Sequence, residues 1–313
     1  MADHFLTLDS LGPTGVREIL DLSHRFKREP DRHRGALAGG RVGMIFDKPS
    51  TRTRVSLEDA AWALGMLPIV LRPDELQLGH GETVADTARV LSRYLSALTI
   101  RTFAHARVEE LAAHATIPII NALTDEHHPC QALADVMTLE EVFGDLRGRR
   151  IAFVGDGNNV AHSLIQAAGS LGFTLVVATP EGYRPDAAIV AAAREHASAS
   201  GGAVEVVGDP RVAVAGADAV YTDVWASMGK EHEREERRRV FAGYTVDAAM
   251  MAAAGPGAIF LHCLPAHRGD EVTDEVIDGP GSRVWDQAEN RVYTEQALLY
   301  ALITGDRLGA RLG

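Results

Sequence analysis

Short apolar runs rich in β-branched residues recur along the chain, each followed by a stretch in which apolar positions return at helical spacing. VGMIF from 42, LPIVL from 67, ALTIR from 97 and IPIIN from 117 read as strands, and 83–94, 106–114 and 129–143 read as helices. The polar, basic segment GDLRGRR at 144–150 breaks this series, and a second one begins with IAFVG from 151. TLVVAT from 174, AVEVV from 203, AVYTD from 219 and AIFLH from 258 continue it. Strands alternating with helices predict parallel βαβ units, so the expected fold class is α/β, with two doubly wound parallel-sheet domains. The expected division is 1–142, 143–288 and a final segment 289–313, where NRVYTEQALLYALITG carries apolar residues at helical spacing. That segment is expected to be a C-terminal helix packing back on the first domain.

A chain of 313 residues suits two cores of ordinary size, and 46% hydrophobic with 24% charged residues is a globular composition. Acidic residues outnumber basic ones to a net charge of −12, which argues against nucleic acid or an anionic membrane as the main partner. The opening MADHFLTLDS resembles neither a signal segment nor a transit peptide, and no apolar run approaches the length of a membrane span. A cytoplasmic location is expected. Cys130 and Cys263 lie far apart within polar motifs, so free thiols are expected rather than a disulfide framework.

With an acidic chain, an anionic small substrate needs locally concentrated arginines. They occur directly after the first strand, in DKPSTRTRVSLEDAAWALG, where Ser50, Thr51, Arg52, Thr53 and Arg54 precede a helix. A helix start offers unpaired N–H groups and the positive end of the macrodipole, hydroxyls donate, and a guanidinium pairs bidentately with phosphate. The alternative is that Ser50 or Thr51 merely caps the helix and the arginines are solvated. The glycine-rich lysine loop for nucleoside triphosphates is absent. A second strand runs into GDGNNVAHSL, but Val160 stands where a dinucleotide fingerprint needs its third glycine, and no acidic strand end follows at the required distance. Its asparagines could bind a substrate or cap a helix. His262 with Cys263, or His127, His128 and Cys130, could be taken for metal ligands, yet the spacing matches no zinc pattern, and no metal is expected.

STRTR after a strand resembles the carbamoyl phosphate motif of the aspartate and ornithine carbamoyltransferase family. LQLGHGETVADTARVLSRY, HPCQALADVMTL, GDGNNVAHSL, DVWASMG, HCLPAHRGDEVTDEVID and WDQAENR resemble further segments of its ornithine branch, in family order. The resemblance implies transfer of a carbamoyl group from carbamoyl phosphate to the side-chain amine of L-ornithine, giving citrulline and phosphate in arginine metabolism. It implies that Ser50, Thr51, Arg52, Thr53, Gln77, Arg101, His128, Gln131, Cys263, Leu264 and Arg291 bind carbamoyl phosphate. Gln77 would reach a neighbouring subunit's site in a homotrimer or an assembly of trimers; alternatively it is an exposed loop residue. Asn159, Asp223, Ser227 and Met228 would bind ornithine, Met228 through its backbone, and Arg101, His128, Asp223, Cys263 and Arg291 would carry the catalytic roles. Arg291 is expected at the start of the last helix. No cofactor is implied. The loop 225–240, with the charged run KEHEREERRRV, is a candidate lid or a solvated helix face, and carbamoyl phosphate is expected to bind first.

Overall fold

The computed structural model describes residues 4–72, 74, 76–77, 81–226, 231–307 and 309. The chain divides into two compact units, the first made of residues 1–137 and 289–313 and the second of 138–288. Both are parallel-sheet α/β units.

The first unit opens with helix α1 (Gly12–Arg28), which buries Val16, Ile19, Leu20, Ser23 and Phe26 along one stripe. The alternation of strands and helices did not reveal it, because α1 precedes the first strand. Then follow β1 (Arg41–Phe46), α2 (Arg52–Ala63), β2 (Leu67–Leu71), α3 (Val84–Leu91), β3 (Ala97–Arg101), α4 (His105–His114), β4 (Ile119–Leu123) and α5 (Pro129–Phe143). The sheet order is β2-β1-β3-β4, all parallel. β3 and β4 are buried at every position, so apolar residues fall on both faces rather than alternating, with Thr99, Arg101 and Asn121 the polar members. β4 starts at Ile119, two residues later than the apolar run, because Pro118 has no N–H to give the ladder; its carbonyl still accepts from Leu98 N at 2.9 Å.

The second unit contains β5 (Arg150–Val154), α6 (Asn159–Leu171), β6 (Thr174–Ala178), α7 (Ala187–Ser200), β7 (Ala203–Val207), α8 (Pro210–Val214) and β8 (Ala219–Thr222). A short 3-10 turn at 231–233 leads into α9 (Arg234–Val240), followed by α10 (Ala248–Ala253), β9 (Ile259–His262) and α11 (Asp274–Ile277). The sheet order is β7-β6-β5-β8-β9, again all parallel. Its core is built on Val154, Val176, Val220 and Phe260 from the strands, with Trp225, Phe241 and Val246 beside them. The last helix, α12 (Val284–Thr304), begins earlier than its apolar spacing suggested, with Asp286 in its first turn, where the helix dipole favours an acid. Among the described residues no helix is long and apolar enough to cross a membrane.

Candidate active site

In an open parallel sheet, ligands gather beyond the carboxyl ends of the strands where the strand order changes direction. In the first unit that point lies between β1 and β3, whose last residues Phe46 and Arg101 are register partners. The segment leaving β1 is held against β3 by Asp47. Its N–H donates to the Arg101 carbonyl at 2.9 Å, and its Oδ2 accepts from Thr102 Oγ1 at 2.5 Å and from Arg107 Nη1 at 2.7 Å. From there the chain enters α2, with Thr51 at the N-cap and Arg52 as the first helical residue. Ser50 is half-buried, Thr51 exposed, Arg52 half-buried and Thr53 buried, so the STRTR segment lies at the mouth of a helix start. Arg54 instead pairs with Glu58 one turn on, at the surface.

His128 and Gln131 stand at the start of α5. Gln131 Nε2 donates to Asp135 Oδ1 at 2.8 Å, and Gln131 Oε1 accepts from Arg291 Nη1 at 2.9 Å. Arg291 Nη2 also donates to Thr53 Oγ1 at 3.2 Å, and its Nε and Nη2 donate to Glu295 Oε1 at 3.0 and 2.6 Å. Thr53, Gln131 and Arg291 therefore form one buried network in this unit. Arg291 comes from two turns inside α12, not from its start as expected, because the helix begins at Val284. His128 is buried, and its pKa lies well below the usual imidazole range. Loss of water is the main cause, and the charges of Arg291, Arg101 and Arg52 add to it. It is a neutral imidazole in a cationic field. Gln77 is exposed in the loop after β2, and no described hydrogen bond joins its side chain to these residues.

In the second unit the strand order changes direction between β5 and β8. After β5 the chain turns through Gly155, Asp156 and Gly157. Gly157 N donates to the Tyr183 carbonyl at 2.9 Å, and a Cβ at Gly157 would collide with the backbone of Arg184 and Pro185. This glycine is needed for a close backbone approach, which accounts for the partial dinucleotide-like pattern without a dinucleotide. Asn158 caps α6: its Oδ1 accepts from Val160 N and Ala161 N at 3.0 and 3.2 Å. The same amide donates through Nδ2 to Asp223 Oδ2 at 2.7 Å. Asn159, the asparagine singled out from the sequence, is the first residue of α6 and is half-buried.

Asp223 follows β8 and is buried, and its other oxygen, Oδ1, accepts from Cys263 Sγ at 3.0 Å. Cys263 follows β9 and leads into Leu264, a non-glycine residue at φ 58°. That backbone is pinned from behind. Leu264 N donates to His262 Nδ1 at 2.8 Å, and since an amide can only donate, His262 carries its proton on Nε2, which faces Glu271 Oε1 at 3.3 Å. Asp223, His262 and Cys263 each bring a possible ligand atom within 4.8 Å of the others, but all three atoms are already engaged in these bonds. Arg237, buried on α9, donates to Asp156 Oδ2 and to the Trp225 carbonyl at 2.6 Å each, linking the turn after β5 to the segment after β8. It does so from within the charged run expected to be solvated or a lid. Ser227 and Met228 lie outside the described residues.

Residues 3–141 match the carbamoyl-P binding domain of aspartate/ornithine carbamoyltransferases, and residues 147–302 match the Asp/Orn binding domain of the same enzymes. The chain belongs to the aspartate/ornithine carbamoyltransferase family. It is 52% identical over 311 residues to the ornithine carbamoyltransferase of Acidothermus cellulolyticus, with 99% of each chain covered. It is 55% identical over 269 residues to the anabolic ornithine carbamoyltransferase of Pyrococcus furiosus, covering 86% of this chain and 85% of that one. The solved P. furiosus ornithine carbamoyltransferase superposes with a TM-score of 0.93 at 50% identity over 97% of both chains. The solved Gloeobacter violaceus ornithine carbamoyltransferase gives 0.87 at 46%, over 96% of this chain and 98% of that one.

Sequence reasoning passed over Asp135, Arg237 and Glu295, and weighed Asn158 as a helix cap without its bond to Asp223. Two of them left a signal: Asp135 and Glu295 each stand four residues after a candidate site residue on a helix, the spacing at which side chains meet.

Proposed function

We propose that this member of the carbamoyltransferase family moves the carbamoyl group of carbamoyl phosphate onto the side-chain amine of L-ornithine, releasing L-citrulline and inorganic phosphate. The observation that carries the amine side of this reading is Asp223, a buried carboxylate whose two oxygens are oriented by Asn158 and Cys263. A carboxylate so placed accepts hydrogen bonds from an ammonium or amine. The relatives named ornithine carbamoyltransferase, matched over nearly the whole chain, support the same amine.

In this reading Ser50, Thr51, Arg52, Thr53, Arg101, His128, Gln131 and Arg291 hold carbamoyl phosphate, with Cys263 and Leu264 at its carbamoyl end. Gln77 is proposed to serve a neighbouring subunit's site. Asn159, Asp223, Ser227 and Met228 hold ornithine. Attack requires a neutral amine, and an alkyl ammonium with a lysine-like pKa costs about 4 to 5 kcal/mol to deprotonate at neutral pH. Burial of the amine beside Asp223, Cys263 and the Leu264 carbonyl lowers that cost, so the amine enters neutral with its first proton lost to water or Asp223. The second, released when the N–C bond forms, goes to the departing phosphate. The amine nitrogen bonds to the carbamoyl carbon while Arg101, Thr53 and neutral His128 donate to the oxyanion. The C–O bond to phosphate then breaks with its electron pair on the phosphate, which Arg52 and the α2 start stabilise. Carbamoyl phosphate binds first, and no covalent enzyme intermediate or cofactor enters.

We further propose a homotrimer or an assembly of trimers in the cytoplasm. Val55, Trp62, Leu67 and Tyr94 in the first unit are large apolar residues more than half exposed, the kind of side chain a subunit contact would cover.

The Asp223→Asn variant tests the amine assignment. It keeps size but loses the charge and one of the two accepting oxygens, so ornithine turnover should fall by about a hundredfold or more while carbamoyl phosphate affinity changes little. Wild-type ornithine kinetics in this variant would remove Asp223 from the reaction.

A further inference from the structure

Glu295 has no part in the reaction just described, yet its carboxylate is buried against Arg291 on the same helix. A guanidinium can only donate and a carboxylate can only accept. Glu295 Oε1 takes Nε and Nη2 of Arg291, leaving the far side of the guanidinium to reach Thr53 Oγ1 and Gln131 Oε1. This arrangement fixes a direction of donation. Because Arg291 supplies the hydrogens, Thr53 and Gln131 must each accept with their oxygens, and their own hydrogens are left for donation. One Gln131 hydrogen goes to Asp135; the Thr53 hydroxyl hydrogen and the second Gln131 hydrogen remain to donate. Side chains whose remaining hydrogens point outward from Arg291 suit an anion, since phosphate oxygens accept.

We infer that Glu295 is a positioning residue for the carbamoyl phosphate half-site: by clamping one edge of Arg291 it fixes the direction of hydrogen donation at Thr53 and Gln131. The inference rests on the proposal that this half-site binds carbamoyl phosphate. The pair is mutually dependent. Burial pushes the Glu295 carboxyl above the usual carboxylate range, and Arg291 is the main influence holding it down. Without the clamp, Arg291 is free to turn its fork toward other acceptors, and the two neutral side chains lose their fixed orientation.

The test is a double-mutant cycle with Glu295→Gln, which removes the charge and keeps the shape, and Arg291→Lys, which keeps the charge and loses the fork. Glu295→Gln should raise the KM for carbamoyl phosphate about tenfold and leave the KM for ornithine within about twofold. In the Arg291→Lys background the same substitution should add less than about twofold, because Glu295 acts through Arg291. Effects that multiply, or KM values that rise equally for both substrates, would overturn the inference and leave the half-site reading standing. An Arg291→Lys variant with an unchanged carbamoyl phosphate KM would overturn both. If Glu295→Gln is too unstable for kinetics, Glu295→Asp replaces it, read by the rise in Tm that inorganic phosphate produces in each variant relative to itself. A smaller rise than in the wild type supports the clamp; an equal rise overturns it.

Discussion

Cys130 and Cys263 share a residue type but not an environment. Cys130 is buried beside the Glu295 carboxylate; burial first, and then that charge, push its thiol up to about 12. Cys263 is half-buried and donates to Asp223. Since the thiolate is the reactive form, a maleimide at pH 8 should label Cys263 in the native protein and Cys130 only after denaturation. Peptide mapping after timed labelling reads the order, and equal rates at both sites would contradict the environment described for Cys130. His128 carries a pH consequence of its own. Its folded-state pKa is depressed, so the unfolded chain takes up a proton at the ordinary imidazole pKa of about 6.5 and the folded chain does not. Its contribution to stability is therefore present above about pH 6.5 and is lost as pH falls below it, by at most about 1.4 kcal/mol per pH unit. Denaturant unfolding should show a shallower decline below pH 6.5 for His128→Asn than for the wild type. At this scale the sequence revealed the chemistry-bearing residue types inside recognisable motifs. It did not reveal which of two adjacent asparagines meets Asp223, because that choice depends on where α6 begins.

At the scale of elements, the strands were legible because a parallel sheet covered on both faces favours unbroken apolar runs, and β5 and β6 are apolar at every position after the first. Boundaries were less legible. α12 starts at Val284 although Trp285 is exposed, since a helix start needs only favourable first-turn residues and not an apolar stripe. α6 illustrates how an element serves the site. Asn158 caps it and orients Asp223 with the same amide, so Asn158→Ala should cost about 1 kcal/mol in stability through the cap alone. It should also raise the ornithine KM, because Asp223 loses a donor. Asn158→Asp keeps the cap oxygen but sets a second carboxylate against Asp223, so it should retain stability better than activity. Comparing Tm with the ornithine KM for the two variants separates the cap from the orienting role; parallel losses in both would contradict the division.

At the scale of the whole molecule, the two family domains account for nearly the entire chain, and the acidic net charge is compatible with an anionic substrate because arginines concentrate where β1 and β3 end. Assembly was not readable from periodicity, since an exposed Trp62 looks the same in a sequence whether a partner covers it or not. If the proposed trimer forms, light scattering on the 33.6 kDa chain should give about 100 kDa or a multiple of it. Trp62→Glu should shift the mass toward the single chain, and a monomeric wild type at micromolar concentration would remove the trimer. The most direct test of the central claim is citrulline formation from carbamoyl phosphate with ornithine, putrescine, N-acetylornithine and aspartate offered separately, beside an Arg52→Ala variant. The account predicts strong turnover with ornithine alone, lost in the variant. Turnover with another amine in place of ornithine, or undiminished turnover in Arg52→Ala, would contradict it.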